Sequence, residues 1–448
     1  MLNQSFSAAN FRKILDIENR RGTFLEGDYF PEVAKLSKKI QSHNSELRSL
    51  KKKKAAYSSE DFESETTELS QTIHSLKEEK ERLLLKELNE ASSKILSKEF
   101  SFGIKKIDVG KEKKVFTADR NAATFFALKQ VQHNIRRLYK VKQANRHQII
   151  CQLRELLGDG FPKYVIRTDI ASFYESIPRT VLLKKLRDDP LLTLTSKTLI
   201  RRILFEYSNI TGRDVGLPRG IGISAYLAEL YMRDMDYAIR DYPGVLYYSR
   251  YVDDIFIIFC PPPNIGTSAF RRVVANGFKS LELKRNRKKT RIFYSKPGVT
   301  KAIQYLGYKF EIGNSAVDLR MTDKKVTRYK QRINLTFSAY DKQSRTSEKK
   351  ARALLEKRVR FLTGNTRLVN NKKNVVSGIF FSNPLLNKMQ DLKNLDSHLR
   401  LKVLALVSLR LKNRLLQHTF EQGYITRKYH KFSAQDLSRI VKVWKHVS

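Results

Sequence analysis

The chain has 448 residues, room for about three domains at roughly 150 residues each. Lysine plus arginine number 87 against 45 aspartate plus glutamate, a net charge of +42, which attracts polyanions and above all nucleic acid. With 41% apolar and 29% charged residues the composition is globular rather than disordered. The longest apolar runs, 255–260 and 403–411, are too short to span a bilayer, and residues 1–13 lack the apolar core of a secretory signal. Cys151 and Cys260 have no CxxC partner, so neither zinc site nor disulfide framework is expected, and the expected location is cytoplasmic.

Residues 31–98 read as two helices. Pro31 suits a first turn, and Val33, Leu36, Ile40, Leu47 and Leu50 recur at helical spacing. After a break at Ser58 and Ser59, Glu60 and Asp61 open a second helix striped by Leu69, Ile73, Leu76, Leu83 and Leu84. The two are expected to form an antiparallel hairpin. Residues 100–109 are β-like. Residues 134–142 are expected to be helical and basic, with Arg136, Arg137, Lys140 and Lys142, and Arg146 follows. Residues 160–325 alternate strand and helix patterns. From 321 onward the chain reads as basic and helical, apart from a short apolar run at 375–381. Residues 401–416 form an amphipathic helix rich in leucine and arginine. Arg352, Lys357, Arg358 and Arg360 in this tail suit RNA contacts or a solvated helix face.

Tyr164-Val165-Ile166-Arg167-Thr168-Asp169 reads as a strand ending in a carboxylate. Tyr251-Val252-Asp253-Asp254 lies between two β-rich runs, which makes it a hairpin turn. Acids wedged into apolar strands are costly unless something compensates them. Magnesium suits hard oxygen ligands, and the layout is that of two-metal phosphoryl transfer. A lone Asp-Asp turn is otherwise a solvated hairpin tip. The glycine-rich segment 216–224 lets backbone approach a ligand, and Ser224 suits a helix N-cap. Lys288 and Lys289 in the basic run 284–290 would neutralise or protonate a pyrophosphate leaving group, or belong to a solvated turn. Residues 305–310 read as a strand with aromatics flanking Gly307, or as an ordinary buried hairpin.

In this order the segments Asp169-Ile170-Ala171-Ser172-Phe173-Tyr174, 216–224, Tyr251-Val252-Asp253-Asp254, 286–290 and 305–310 resemble the reverse transcriptases. The likeness spans roughly 129–310. The Tyr-x-Asp-Asp core favours that family over viral RNA replicases, which carry Gly-Asp-Asp there. The resemblance implies that Asp169 and Asp253 hold two Mg2+ ions, with Mn2+ as a substitute. Asp254 lies beside them, and the backbone of Ile170 joins the metal shell. It implies that Ser172 and Phe173 touch the triphosphate, and that Tyr174 lies under the sugar and selects deoxynucleotides. Arg219 and Gly220 would lie beside the incoming nucleotide, Arg219 standing where the family has glutamine, a departure that hints at nucleotide bias. Lys289 would be the leaving-group cation. Leu306, Gly307 and Tyr308 would grip the primer end, and Arg136, Arg137, Lys140, Lys142 and Arg146 would hold phosphates.

The implied fold is an α+β right-hand polymerase. It has an N-terminal helical region (1–99), fingers and palm with an antiparallel sheet (100–325), and an all-helical, basic thumb or RNA-binding region (326–448). Residues 11–22, the segment from Asp169 to Pro178 and the basic tail resemble bacterial anti-phage reverse transcriptases of the abortive-infection and unknown groups. That likeness implies an RNA template, dNTPs, a DNA product and a structured noncoding RNA. It also allows a second copy or a partner reverse transcriptase, and implies no membrane. A retron-type enzyme and an RNA-binding scaffold with a vestigial polymerase core are the alternatives.

Overall fold

A computed structural model describes residues 3–52, 59–108, 114–263, 266–313, 316–368 and 375–444. The break expected at Ser58 and the strand end expected at Val109 lie outside these residues. The chain divides into two compact units that interleave along the sequence. The first comprises Met1–Gln143, Ile170–Ala238 and Arg272–Lys284, and the second Ala144–Asp169, Ile239–Arg271 and Arg285–Ser448.

The first unit is mainly helical. The helices Pro31–Lys52 and Ser59–Leu96 pack on one another, as the leucine stripes required. The helix Ala8–Arg20 joins the helix Ala122–Leu138 through Phe11 and Phe126, stacked at 5.1 Å, with Phe30 6.3 Å beyond. Strands β1 (Lys105–Ile107) and β2 (Val115–Thr117) pair antiparallel. The longer strand expected from residue 100 is absent, because Glu206 accepts from the amides of Phe102 (2.7 Å) and Ile104 (3.1 Å) and so replaces a partner strand. The basic helix stops at Leu138, not 142: Lys140 adopts φ of +50°, which a helix cannot hold.

The second unit is built on strands β3 (Lys163–Asp169), β4 (Val245–Tyr251), β5 (Asp254–Phe259) and β6 (Arg291–Ser295), an antiparallel sheet in the order β4-β5-β3-β6. β5 is central and buried throughout from Ile255 to Phe259, which accounts for its uninterrupted apolar run. Strands β7 (Lys301–Tyr305), β8 (Tyr308–Ile312) and β9 (Val317–Met321) form a second antiparallel sheet. A single apolar core runs from Val165, Phe256 and Ile258 through Phe310 and Leu319 to Leu355, Leu395, Leu415 and Trp444.

Two expectations for the C-terminal region are corrected. It is not all helical, since β10 (Asn365–Leu368) pairs antiparallel with β11 (Val375–Gly378). Asn365 anchors that pair, accepting from the Phe380 amide (3.0 Å) and donating to Gly423 O (3.2 Å). The helix expected over 401–416 is two helices, Gln390–Leu404 and Leu409–Leu416, the second started by Ser408 accepting from the Leu411 amide. The class is nonetheless α+β with antiparallel sheets. Among the described residues no helix is long and apolar enough to cross a membrane.

Candidate active site

The two central strands of the four-stranded sheet each bring a carboxylate to the same edge. Asp169 is the last residue of β3 and Asp254 the first of β5, and the two are register partners. Tyr251 pairs with Asp254, so Val252 and Asp253 form a two-residue turn. Val252 has φ of +60°, a genuine outlier for a β-branched residue. Arg250 donates to Val252 O (3.0 Å) and helps hold the turn. Asp253 is thereby carried beside the strand ends instead of pointing out to solvent.

Cations and an amide surround these carboxylates. β6 runs beside β3, and the turn before it delivers Lys289 and Asn286. Lys289 Nζ lies 2.9 Å from Asp169 Oδ2, and Asn286 Nδ2 donates to Asp169 Oδ1 at 3.1 Å. The Asn286 amide also donates to Asp169 O (2.7 Å), which fixes the turn to the strand end. Arg167 Nη2 donates to Asp254 Oδ1 at 2.9 Å. Burial raises the Asp253 carboxyl above the usual range, and the Asp169 charge adds to it. Burial also raises Asp254, and Arg167 opposes the shift.

Among the described residues no three His, Cys, Asp or Glu side chains converge as a finished metal cluster. The donor set still fits a divalent cation. It offers hard carboxylate oxygens at one sheet edge, two of them raised in pKa by burial and by neighbouring acids, with Lys289 and Arg167 supplying positive charge.

Ser172, Phe173, Tyr174, Arg219 and Gly220 belong to the first unit. Ser172 has φ of +45° and turns the chain into the short helix Phe173–Ser176. Arg219 is not free: Nε lies 3.0 Å from Glu175 Oε1 and Nη2 3.2 Å from Oε2, and its guanidinium sits 5.1 Å from the Tyr174 ring centre. Gly216 has φ of +88°, and a Cβ there would meet Glu175 O at 2.9 Å, so this segment must pass close to the Glu175 backbone. Arg179, unremarked in the sequence, organises the same loop. Its side chain is 4% exposed and donates to Gly216 O (2.7 Å), Val215 O (2.7 Å), Arg213 O (2.9 Å), Leu204 O (3.1 Å) and Ser208 Oγ. Ser224 is not an N-cap, because its hydroxyl donates to Pro218 O (2.7 Å) and ties the loop to the helix start.

Of the two readings of residues 305–310, the buried hairpin holds: Leu306 and Gly307 are the turn between β7 and β8. Their φ values of +44° and +77° follow the type I′ pattern. Arg146, expected on phosphates, instead donates through Nε (2.9 Å) and Nη2 (2.7 Å) to Leu306 O and lies 5.3 Å from the Tyr308 ring centre. Lys325 covers the same ring at 5.2 Å and donates to Asn383 Oδ1 at 2.6 Å. Burial, then Arg146 and Arg328, pulls the Lys325 ammonium down to about 7. Between about pH 7 and the ordinary lysine value near 10.5, the unfolded chain holds a proton here that the native state lacks, so this group's contribution to stability rises with pH. In thermal denaturation Lys325→Met is therefore expected to be most favourable relative to wild type near pH 6, the advantage shrinking toward pH 10.

Arg136 and Arg137 occupy the exposed last turn of their helix, and Lys140 and Lys142 are exposed beyond it. The tail cations are mostly occupied within the fold. Arg352 pairs with Glu348, Lys357 with Asp436 (2.7 Å), Arg358 is buried against Arg439 O (3.3 Å), and Arg360 donates to His430 Nδ1.

Residues 118–310 match the family model described as reverse transcriptase (RNA-dependent DNA polymerase). This stretch, less than half of the chain, is similar to reverse transcriptase domains. Solved structures with similar stretches include apo telomerase from Candida tropicalis, at 14% identity and a TM-score of 0.38, covering 71% of this chain and 53% of that one. Another is telomerase from Candida albicans in complex with a TWJ fragment of telomeric RNA, at 13% identity and a TM-score of 0.33, covering 71% of this chain and 56% of that one. The chain thus spans about half the length of the telomerase chains it matches. No curated protein sequence matches it.

Proposed function

We propose that the protein copies RNA into DNA, adding dNTPs to a 3′-hydroxyl with two Mg2+ ions, in the cytoplasm of a bacterium, as part of anti-phage defence with a noncoding RNA. The observation that carries the catalytic part is the register pairing of Asp169 with Asp254, with Asp253 in the adjoining turn. Asp169, Asp253 and Asp254 would hold the metals. Bound there, they would sharpen the attacking hydroxyl and neutralise the departing phosphate charge. The primer oxygen bonds to the α-phosphorus, the bond to the β-phosphate oxygen breaks, and pyrophosphate leaves with a proton from Lys289. The hydroxyl proton passes to solvent. The Leu306–Gly307 turn, locked by Arg146, holds the primer end. Tyr174, braced under Arg219, excludes the ribose 2′-hydroxyl, and Arg219 contacts the incoming nucleotide. The defence role rests on the likeness of residues 11–22 and of the segment from Asp169 to Pro178 to bacterial anti-phage enzymes.

Two outcomes follow. A Tyr174→Ala variant is expected to raise ribonucleotide relative to deoxynucleotide kcat/KM by roughly 10–100-fold, measured with single nucleotides. Millimolar Mg2+ is expected to raise the melting temperature of the wild type, and this rise should vanish in Asp253→Asn/Asp254→Asn. The defence reading is tested by sequencing nucleic acid bound to the protein from phage-infected bacteria, wild type against that double variant. A defined RNA in both and DNA in the wild type alone supports it. No defined RNA, or DNA in both, contradicts it.

A further inference from the structure

A cavity of about 440 Å³ opens in the first unit between the helices Ala8–Arg20 and Ala122–Leu138. That volume lies within the roughly 300–1,000 Å³ of small-ligand sites. Its wall carries Arg21, Lys129 and Arg136 against one carboxylate, Glu18, which is taken up by Arg21 (2.8 Å) and Lys129 (2.9 Å). One acid cannot balance these cations, so the wall favours an anion.

His133 also lines the cavity, and its Nε2 is buried with no hydrogen-bond partner among the described residues. Leaving such an atom unpaired is unfavourable, so a ligand that pairs it gains affinity. Burial, then Arg137 and Arg136, lowers the His133 pKa, so the ring is neutral and carries one N–H. Tyr226 adds an aromatic face to the wall. Phosphate chemistry beside an aromatic ring is the signature of a nucleotide. The exposed Arg136, Arg137 and Lys140 extend the positive surface along the chain, which suits a continuous strand better than a free nucleotide.

We propose that this cavity holds one nucleotide of a single-stranded nucleic acid, with its phosphate against Arg136 and His133 and its base against Tyr226. Such binding needs no polymerisation, so its failure and failure of the catalytic reading are distinguishable. The experiment is fluorescence anisotropy of the full chain with a short, fluorescein-labelled, mixed-sequence RNA in EDTA.

Arg136→Glu and His133→Phe are each expected to weaken binding about tenfold or more. Arg136→Glu should also lower the log–log salt slope by about one. Arg82→Glu makes the same charge change at an exposed residue of the helix Ser59–Leu96 and is expected to stay within about threefold of wild type. Because Arg136 is exposed, its substitution keeps the fold even where His133→Phe does not. Equal losses in Arg136→Glu and Arg82→Glu would overturn the site, leaving net charge as the cause. Displacement of the RNA by ATP in the wild type but not in Arg136→Glu would assign the cavity to a free nucleotide and overturn the strand reading.

Discussion

Replacing Asp253 and Asp254 together with asparagine is expected to lower nucleotide addition roughly a thousandfold or more, about 4 kcal/mol of transition-state stabilisation. The loss falls on chemistry rather than on folding. Both carboxylates are raised by burial and by neighbouring acids, so in the apo protein neutralising them removes repulsion. Asparagine at 254 can still accept from Arg167, so that partner is not stranded. Single-turnover incorporation and thermal melting of the same samples separate the two effects. A collapsed melting temperature would mean that the carboxylates hold the fold, and the kinetic loss would then say nothing of catalysis.

The second large effect is expected from Arg179→Met. Its guanidinium satisfies four carbonyls, those of the buried Leu204 and Gly216 and of the exposed Arg213 and Val215, and lies 4.8 Å from the Tyr207 ring centre. Methionine keeps the packing volume and offers no donors. Each carbonyl orphaned in a buried residue costs on the order of 1 kcal/mol or more, so with two such carbonyls a loss of about 2–3 kcal/mol is expected in urea denaturation. The loop leading to Arg219 should loosen with it. Under conditions where the variant is still folded, KM for dNTP is expected to rise more than kcat falls. A stability change below about 1 kcal/mol would show that Gly216 and Leu217, bonded to Ile177 O and Tyr174 O, hold the loop without Arg179.

Charged residues inside apolar strands were the most legible feature of the sequence. Asp169, Asp253 and Asp254 stand out because each interrupts or ends a β-rich run, and the structure brings them to one sheet edge with Lys289. Arg167 escaped notice although the strand period could have revealed it, since it lies two residues before Asp169 and shares its face. Arg179 left no local signal, because its partners lie 25 to 37 residues away and a basic residue after a proline reads as surface. Residues 305–310 could be read as strand or as buried hairpin, because Tyr305, Tyr308 and Phe310 suit both. Only the positive φ at Leu306 and Gly307 makes a turn of them. β11 falls in the apolar run at 375–381, the strand signal of the tail, but its partner β10 was hidden because Asn365 to Leu368 carries no alternation and is held by the distant carbonyls of Gly423 and Lys428. Likewise Ser408 restarts a helix inside a leucine-rich stretch whose periodicity hides the break.

The most direct measurement is primer extension by the purified full chain, with labelled dNTPs, Mg2+, an RNA template and a DNA primer, beside Asp253→Asn/Asp254→Asn. DNA complementary to the RNA is expected from the wild type, with none in EDTA and none from the variant. Wild-type protein that binds the RNA yet adds no nucleotide with either Mg2+ or Mn2+, or a variant that extends as well as wild type, would contradict the polymerase assignment of this site.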